Sequence, residues 1–256
     1  MAKKRRSVPN FFTIANLLSG MLAIQFSLTD QLNWAPYFIF AAIIFDFFDG
    51  FMAGILRVRS DKGKQLDSLA DIVTFGVAPG FIMFALLQFV RTDVLAGDFE
   101  GNLLMSNIEY FAFLIPIFAL FRLAKFNVDT NQSTSFIGVP TATTAIFFAS
   151  LPLLADQAVF DPNSLKTWLL DHLILNAYSL MVIVLVFSVL MVSKIPLFAL
   201  KFKKFTWSGN EIQIVFLIIS AISIIVFKLW SVPFIVILYL IMSIVNNWRL
   251  KSKTKK

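Results

Sequence analysis

Residues 46–71 hold four aspartates in two closely spaced pairs, Asp46 with Asp49 and Asp67 with Asp71. On a helix, spacings of three and four put both side chains of a pair on one face. Gly50 and Gly63 stand beside them, and a basic loop with Arg57, Arg59, Lys62 and Lys64 joins the pairs. Four carboxylates that converge repel one another unless some are protonated or a cation sits among them. The chain has no cysteine and one histidine, His172, so the donors are hard oxygens suited to Mg²⁺ or Mn²⁺ rather than zinc. Two such ions about 3.5–4 Å apart suit displacement at phosphorus. The plainer reading is a set of interfacial acids paired with the basic loop. One aspartate near a helix end fits it; four at these spacings, flanked by glycines, fit it poorly.

These acids sit in a chain that is 58% hydrophobic and 14% charged, with 30 phenylalanines in 256 residues and a mean hydropathy of +0.80. A soluble domain is about 45–50% apolar and about 25% charged. A water-soluble globular enzyme and a disordered chain are both excluded. The absence of cysteine also removes disulfide frameworks and cysteine nucleophiles. The predicted fold is all-α, a polytopic bundle of transmembrane helices. A bilayer core about 30 Å thick takes roughly 20 apolar residues as helix. Eight stretches approach or reach that length: 11–28, 34–54, 66–90, 108–126, 139–155, 172–193, 212–229 and 232–248. Seven or six spans are the alternatives. Trp230, Ser231 and Pro233 mark a tight turn between the last two.

Charge sets the expected orientation. Nineteen of the 22 basic residues fall at one set of span ends: Lys3 to Arg6, Arg57 to Lys64, Arg122 with Lys125, Lys194 to Lys204, and Arg249 to Lys256. Only Arg91, Lys166 and Lys228 fall on the other side. The positive-inside rule then predicts both termini in the cytoplasm and an even number of spans. Trp34, Trp168, Trp207, Trp230 and Trp248 all lie at expected span ends, as an interfacial aromatic belt requires. The first 28 residues mimic a signal peptide, but no small-x-small site follows Leu28, so a retained first helix is expected. The outer loops near 91–107 and 156–171, with Asp93, Asp98, Glu100, Asp156 and Asp161, are expected to be solvated connectors.

The stretch 46–71 resembles the motif of the CDP-alcohol phosphatidyltransferase family, Asp-x2-Asp-Gly-x2-Ala-Arg-x8-Gly-x3-Asp-x3-Asp. Asp46, Asp49, Gly50, Ala53, Gly63, Asp67 and Asp71 all land on motif positions. One position departs: Gly54 stands where the motif has arginine, and Arg57, one helical turn on, is a candidate substitute. The run Leu66 to Gly80, the opening Val8-Pro9-Asn10 with Thr13, Asn16 and Gly20, and Arg122 to Asn127 followed by Phe136 to Thr141 are similar to the serine-accepting branch. The resemblance covers residues 8–141, which are expected to form the core. Residues 142–256 are expected to add helices and a basic tail to the same membrane domain.

The resemblance implies transfer of a phosphatidyl group from CDP-diacylglycerol to L-serine with release of CMP, aided by Mg²⁺ or Mn²⁺, in two-ion form. It gives Asp46, Asp49, Asp67 and Asp71 metal roles and makes Asp71 the general base. Gly50, Ala53 and Gly63 would line the nucleotide site, with Arg57 beside them. It also implies a homodimer. The absence of transit features fits a bacterial inner membrane, with a eukaryotic endomembrane as the alternative, and the charge pattern puts the acids on the cytoplasmic side.

Arg122 and Lys125, three apart, could hold a substrate phosphate or the serine carboxylate, or could snorkel to the interface. Asn10, Thr13 and Asn16 form a polar stripe on the first span, for which capping or helix–helix hydrogen bonding is favoured over contact with serine. Pro79-Gly80 is expected to kink the third span, and His172 is assigned no role. The basic tail is expected to meet anionic headgroups, not nucleic acid. Another acceptor alcohol, such as glycerol 3-phosphate or an inositol phosphate, would keep the enzyme class and demand more cations near the aspartates. Arg57, Arg59 and Arg122 leave that open, so the choice of serine rests on the resemblance. A cation transporter is the remaining alternative. Transport sites lie near the midplane of repeated, broken helices, whereas these acids lie toward one side and no repeat is visible.

Overall fold

The computed structural model describes residues 2–29, 31–58, 60–94, 105–128, 136–156, 165–198 and 210–253, and these are almost entirely helical. Arg59, Asp98, Glu100, Asp161, Trp207 and the basic residues Lys201, Lys203, Lys204, Lys255 and Lys256 lie outside the described residues.

Helix α1 (Ala2–Ser27) reverses the pattern of a soluble helix. Thr13, Asn16, Gly20, Ala23 and Ser27, three or four apart, form its buried stripe, while Phe11, Ile14, Leu18 and Met21 are exposed. Among lipid tails, small and polar residues make the helix contacts and large apolar ones face the acyl chains. Gly20 is demanded by close approach, since a Cβ there would sit 2.8 Å from Thr74 Cα. Gly20→Val is therefore expected to destabilise the protein by about 1–3 kcal/mol, read as a lower thermal midpoint in detergent. An unchanged midpoint would refute this packing account.

Helix α2 (Ala35–Ile55) runs back against α1, with Phe26 and Phe38 stacked at 5.1 Å. A third long helix has three parts: α3 (Asp61–Asp71), a π-helical segment (Ile72–Val77) and α4 (Ala78–Phe89). Pro79 has no N–H, and its ring crowds the carbonyl four residues back, so the regular ladder cannot pass through. The irregularity expected at Pro79-Gly80 takes the form of a widened turn just ahead of the proline. Gly80 has a separate cause: a Cβ there would meet Pro116 Cδ at 2.9 Å.

A 3₁₀ segment (Met105–Phe113) leads into α5 (Leu114–Val128). Arg91 ties this segment to the end of the third helix through Glu109, with contacts of 3.0 and 3.2 Å. Helix α6 (Thr141–Asp156) follows, then α7 (Leu165–Leu169) and α8 (Ala177–Val192). The helical stretches Leu165–Ile174 and Ala177–Val192 meet at a 74° bend. Asn176 caps the new helix there by accepting from the Ser179 N–H at 3.1 Å. The expected span 172–193 is thus one straight helix plus the end of another lying across it.

The last two helices are α9 (Glu211–Phe227) and α10 (Ser231–Lys253). Lys228, at φ 52°, breaks the run between them. Phe216 meets Tyr239 at 5.7 Å and Phe227 meets Phe234 at 6.1 Å, so the pair is an antiparallel hairpin. A two-stranded antiparallel ribbon pairs Phe136 with Leu197 and Ile137 with Pro196. Its turn needs Gly138, at φ 75° and packed against the Met191 carbonyl. The Tyr239 hydroxyl donates to the Phe198 carbonyl at 2.9 Å, and the Asn247 amide donates to that of Pro196. These bonds satisfy irregular backbone beside the bundle, as low-dielectric surroundings demand.

Among the described residues, five helical stretches can cross a membrane by length and composition: Val8–Ser27, Leu32–Ile55, Asp61–Thr92, Ser106–Val128 and Glu211–Trp248. The bent pair makes a sixth if it counts as one span, and Thr141–Ala155 is apolar but shorter. The protein is a helical membrane protein.

Candidate active site

Local folding fixes where the acids stand. The chain leaves α2 just after Asp46 and Asp49 and re-enters helix at Ser60, whose hydroxyl accepts from the Gly63 N–H at 3.1 Å as the N-cap of α3. Asp67 and Asp71 follow about two and three turns later on the same face. The far end of α3 is held against α5: Ser68 and the Asn127 side chain exchange hydrogen bonds at 2.8 and 3.1 Å, and Lys64 Nζ donates to the Asn127 carbonyl at 3.0 Å.

Three of the four carboxylates converge. Asp46, Asp67 and Asp71 each offer an oxygen within 4.8 Å of the others, a cluster open enough to take an ion. Asp49 is buried and accepts a hydrogen bond from the Thr13 hydroxyl of α1. Its charge nonetheless acts on the other three. On the opposite flank, Asn16 Nδ2 donates to Asp71 Oδ1 at 3.1 Å. The Thr74 hydroxyl donates to the Asn16 carbonyl at 3.2 Å, so the π-helical segment fixes the backbone that carries this amide. The donor set is all oxygen, and a 4.8 Å spread exceeds only slightly what ligands at 2.0–2.1 Å from a shared Mg²⁺ would span. The residues fit a hard divalent cation.

The other expected residues fall in different places. Gly50 is exposed beside Asp49, and a Cβ there would meet nothing within 4 Å, so close helix packing is not its reason. Ala53 and Gly63 are half-buried, on the last turn of α2 and the first turn of α3. Arg57 does not lie one turn along α2 from Gly54, because that helix ends at Ile55. Arg57 stands past it, exposed, at φ 53°. Arg122 is buried in the C-terminal half of α5, 5.7 Å from the Phe126 ring centroid, and the charge of Asp71 acts on it. Lys125, one turn further, is exposed.

Thr13 and Asn16 do more than the helix joining expected of them. Their bonds do join helices, as expected, but the partners are site carboxylates. The signal is their spacing of three, which puts both on one face of α1; that face meets two helices, Thr13 reaching Asp49 on α2 and Asn16 reaching Asp71 on α3.

A bundle of apolar helices with carboxylates gathered between α1, α2, α3 and α5 defines a class of membrane protein with a polar site among its helices. Residues 6–190 match the CDP-alcohol phosphatidyltransferase family, and the chain belongs to it. It is 35% identical over 155 residues to the CDP-diacylglycerol–serine O-phosphatidyltransferase of Bacillus subtilis, covering 60% of this chain and 77% of that one. Against the enzyme of the same name from Helicobacter pylori it is 30% identical over 218 residues, 84% of this chain and 80% of the relative. An archaetidylserine synthase from Methanothermobacter thermautotrophicus is 30% identical over 151 residues, 57% and 58% of the two chains. The chain is a phosphatidyltransferase of the phosphatidylserine synthase type.

Proposed function

We propose that this enzyme transfers the phosphatidyl group of CDP-diacylglycerol to L-serine. The observation that carries the reading is the convergence of Asp46, Asp67 and Asp71, with Asp49 beside them. The names of its relatives support the choice of substrates. Asp46, Asp49, Asp67 and Asp71 would hold Mg²⁺ or Mn²⁺, in a two-ion arrangement. Such ions would supply positive charge to offset that of the diphosphate and of the departing CMP.

The chain's own groups do the rest. Asp71 takes the proton from the serine hydroxyl as that oxygen bonds to the phosphatidyl phosphorus. The bond from phosphorus to the CMP oxygen breaks, and CMP leaves with the bonding pair. Thr13 and Asn16 hold Asp49 and Asp71 in place through this exchange. The open face at Gly50, with Ala53 and Gly63, would admit the nucleotide, and Arg57 and Lys125 would attract its phosphates from the aqueous side. Acyl chains remain among the lipid tails while cytidine and serine come from water.

The same reading places the site at the cytoplasmic face of a bacterial inner membrane, with eight crossings and both termini inside. The α9–α10 hairpin supports this count. As one straight helix, Glu211–Trp248 would be about 57 Å long, nearly twice the thickness of a bilayer core.

The test is CMP release from CDP-diacylglycerol by the purified protein with Mg²⁺ or Mn²⁺, offered L-serine, glycerol 3-phosphate or inositol in parallel. Serine alone should support release. Release only with glycerol 3-phosphate would reject the serine assignment, and release with none would reject the enzymatic reading.

A further inference from the structure

Two buried polar atoms beside Asp71 find no partner in the protein. Asn16 is fully buried and spends its amide N–H on Asp71, which leaves Oδ1 without a hydrogen bond. Arg122 is only 8% exposed, lies over Phe126, and leaves Nε without one. Buried polar groups in native proteins are normally satisfied, so an orphan beside a reactive carboxylate points to a ligand that completes it. The two orphans are opposite in kind. Asn16 offers an acceptor, whereas Arg122 offers a donor carrying positive charge.

This step rests on Asp71 being the base. A base must reach the hydroxyl it deprotonates, so whatever flanks Asp71 flanks the acceptor alcohol. We propose that Asn16 and Arg122 are the two ends of a receptor for a zwitterionic β-hydroxy amino acid. Asn16 Oδ1 accepts from its ammonium group, Arg122 pairs with its carboxylate, and its hydroxyl falls on Asp71 between them. The arrangement also disfavours a phosphorylated alcohol. A phosphate dianion calls for several cations, and Arg122 is the one buried cation among the described residues. The acceptor of Asn16 would face the phosphate oxygens with a like partial charge.

Three alcohols separate the two ends: L-serine, 3-hydroxypropionate without the ammonium group, and ethanolamine without the carboxylate. CMP release is measured for wild type, Asn16→Ala and Arg122→Gln, in mixed micelles with CDP-diacylglycerol and Mg²⁺. Wild type should favour serine over each analogue by about tenfold or more, the worth of one charge-assisted hydrogen bond. Asn16→Ala should raise the KM for serine and erase the preference over 3-hydroxypropionate while keeping that over ethanolamine. Arg122→Gln should do the reverse. The proposal falls if Asn16→Ala keeps the full preference for serine over 3-hydroxypropionate, whatever it does to kcat, because Asn16 then only positions Asp71. It also falls if wild type uses 3-hydroxypropionate as well as serine, a result that needs no variant to fold. Wild type releasing CMP with glycerol 3-phosphate but not with serine would instead overturn the functional reading beneath it.

Discussion

Asp71→Asn is expected to slow CMP release about 10²–10⁴-fold, the usual contribution of a positioned general base, while leaving divalent-cation binding weakened but present. Asparagine keeps the shape of the side chain and one oxygen for a metal, but it cannot take the serine proton. Asp67→Asn should invert the balance. Asp67 shares the cluster with Asp46 and Asp71 but has no proton to take in the reaction, so losing its charge should cost metal affinity more than the proton transfer. Single-turnover CMP release and Mn²⁺ binding followed by electron paramagnetic resonance separate the two effects. Near-normal turnover in Asp71→Asn would remove the base from the mechanism.

Stripping the protein with a chelator should abolish turnover, with Mg²⁺ or Mn²⁺ restoring it. The same treatment should lower the thermal midpoint. Like charges about 4 Å apart repel by about 4 kcal/mol at the effective dielectric of a protein surface, and this cluster is set partly inside a membrane bundle. Saturating the site at about 100 times its Kd would stabilise the fold by about 2.7 kcal/mol. An Asp46→Asn, Asp67→Asn double variant should then melt above the wild type when both are metal-free, yet gain less from added Mg²⁺. A chelated wild-type enzyme at full activity would end the metal assignment.

The sequence carried the acids plainly, because helical spacing alone predicts that Asp46 and Asp49, and Asp67 and Asp71, share faces. It also carried the α9–α10 turn, since the residues around Pro233 punctuate an otherwise unbroken apolar run. Four features were not legible. The pairing of Thr13 with Asp49 and Asn16 with Asp71 depends on how α1 crosses two distant helices, and no local pattern encodes that. Arg57 looked like an extension of α2 because spacing rules assume that a helix continues, whereas this one stops at Ile55. The ribbon of Phe136–Ile137 with Pro196–Leu197 is too short to have any periodicity. The bend before Asn176 is marked in hindsight by that residue's capping chemistry, which a hydropathy window smooths away.

The widened segment Ile72–Val77 has a geometric consequence for everything after it. A π-helical turn accommodates one residue more than a regular α-turn, so it rotates the downstream face by about 100° relative to an uninterrupted helix. Upstream, that face turns Asp67 and Asp71 toward the acids of α2. Downstream, Ile82, Met83, Leu86 and Leu87 fill the centre of the bundle. Excising a single residue from this stretch would restore even winding but set the two halves out of phase. Either the carboxylates would swing away from their cluster, or the apolar seam would turn toward the acyl chains.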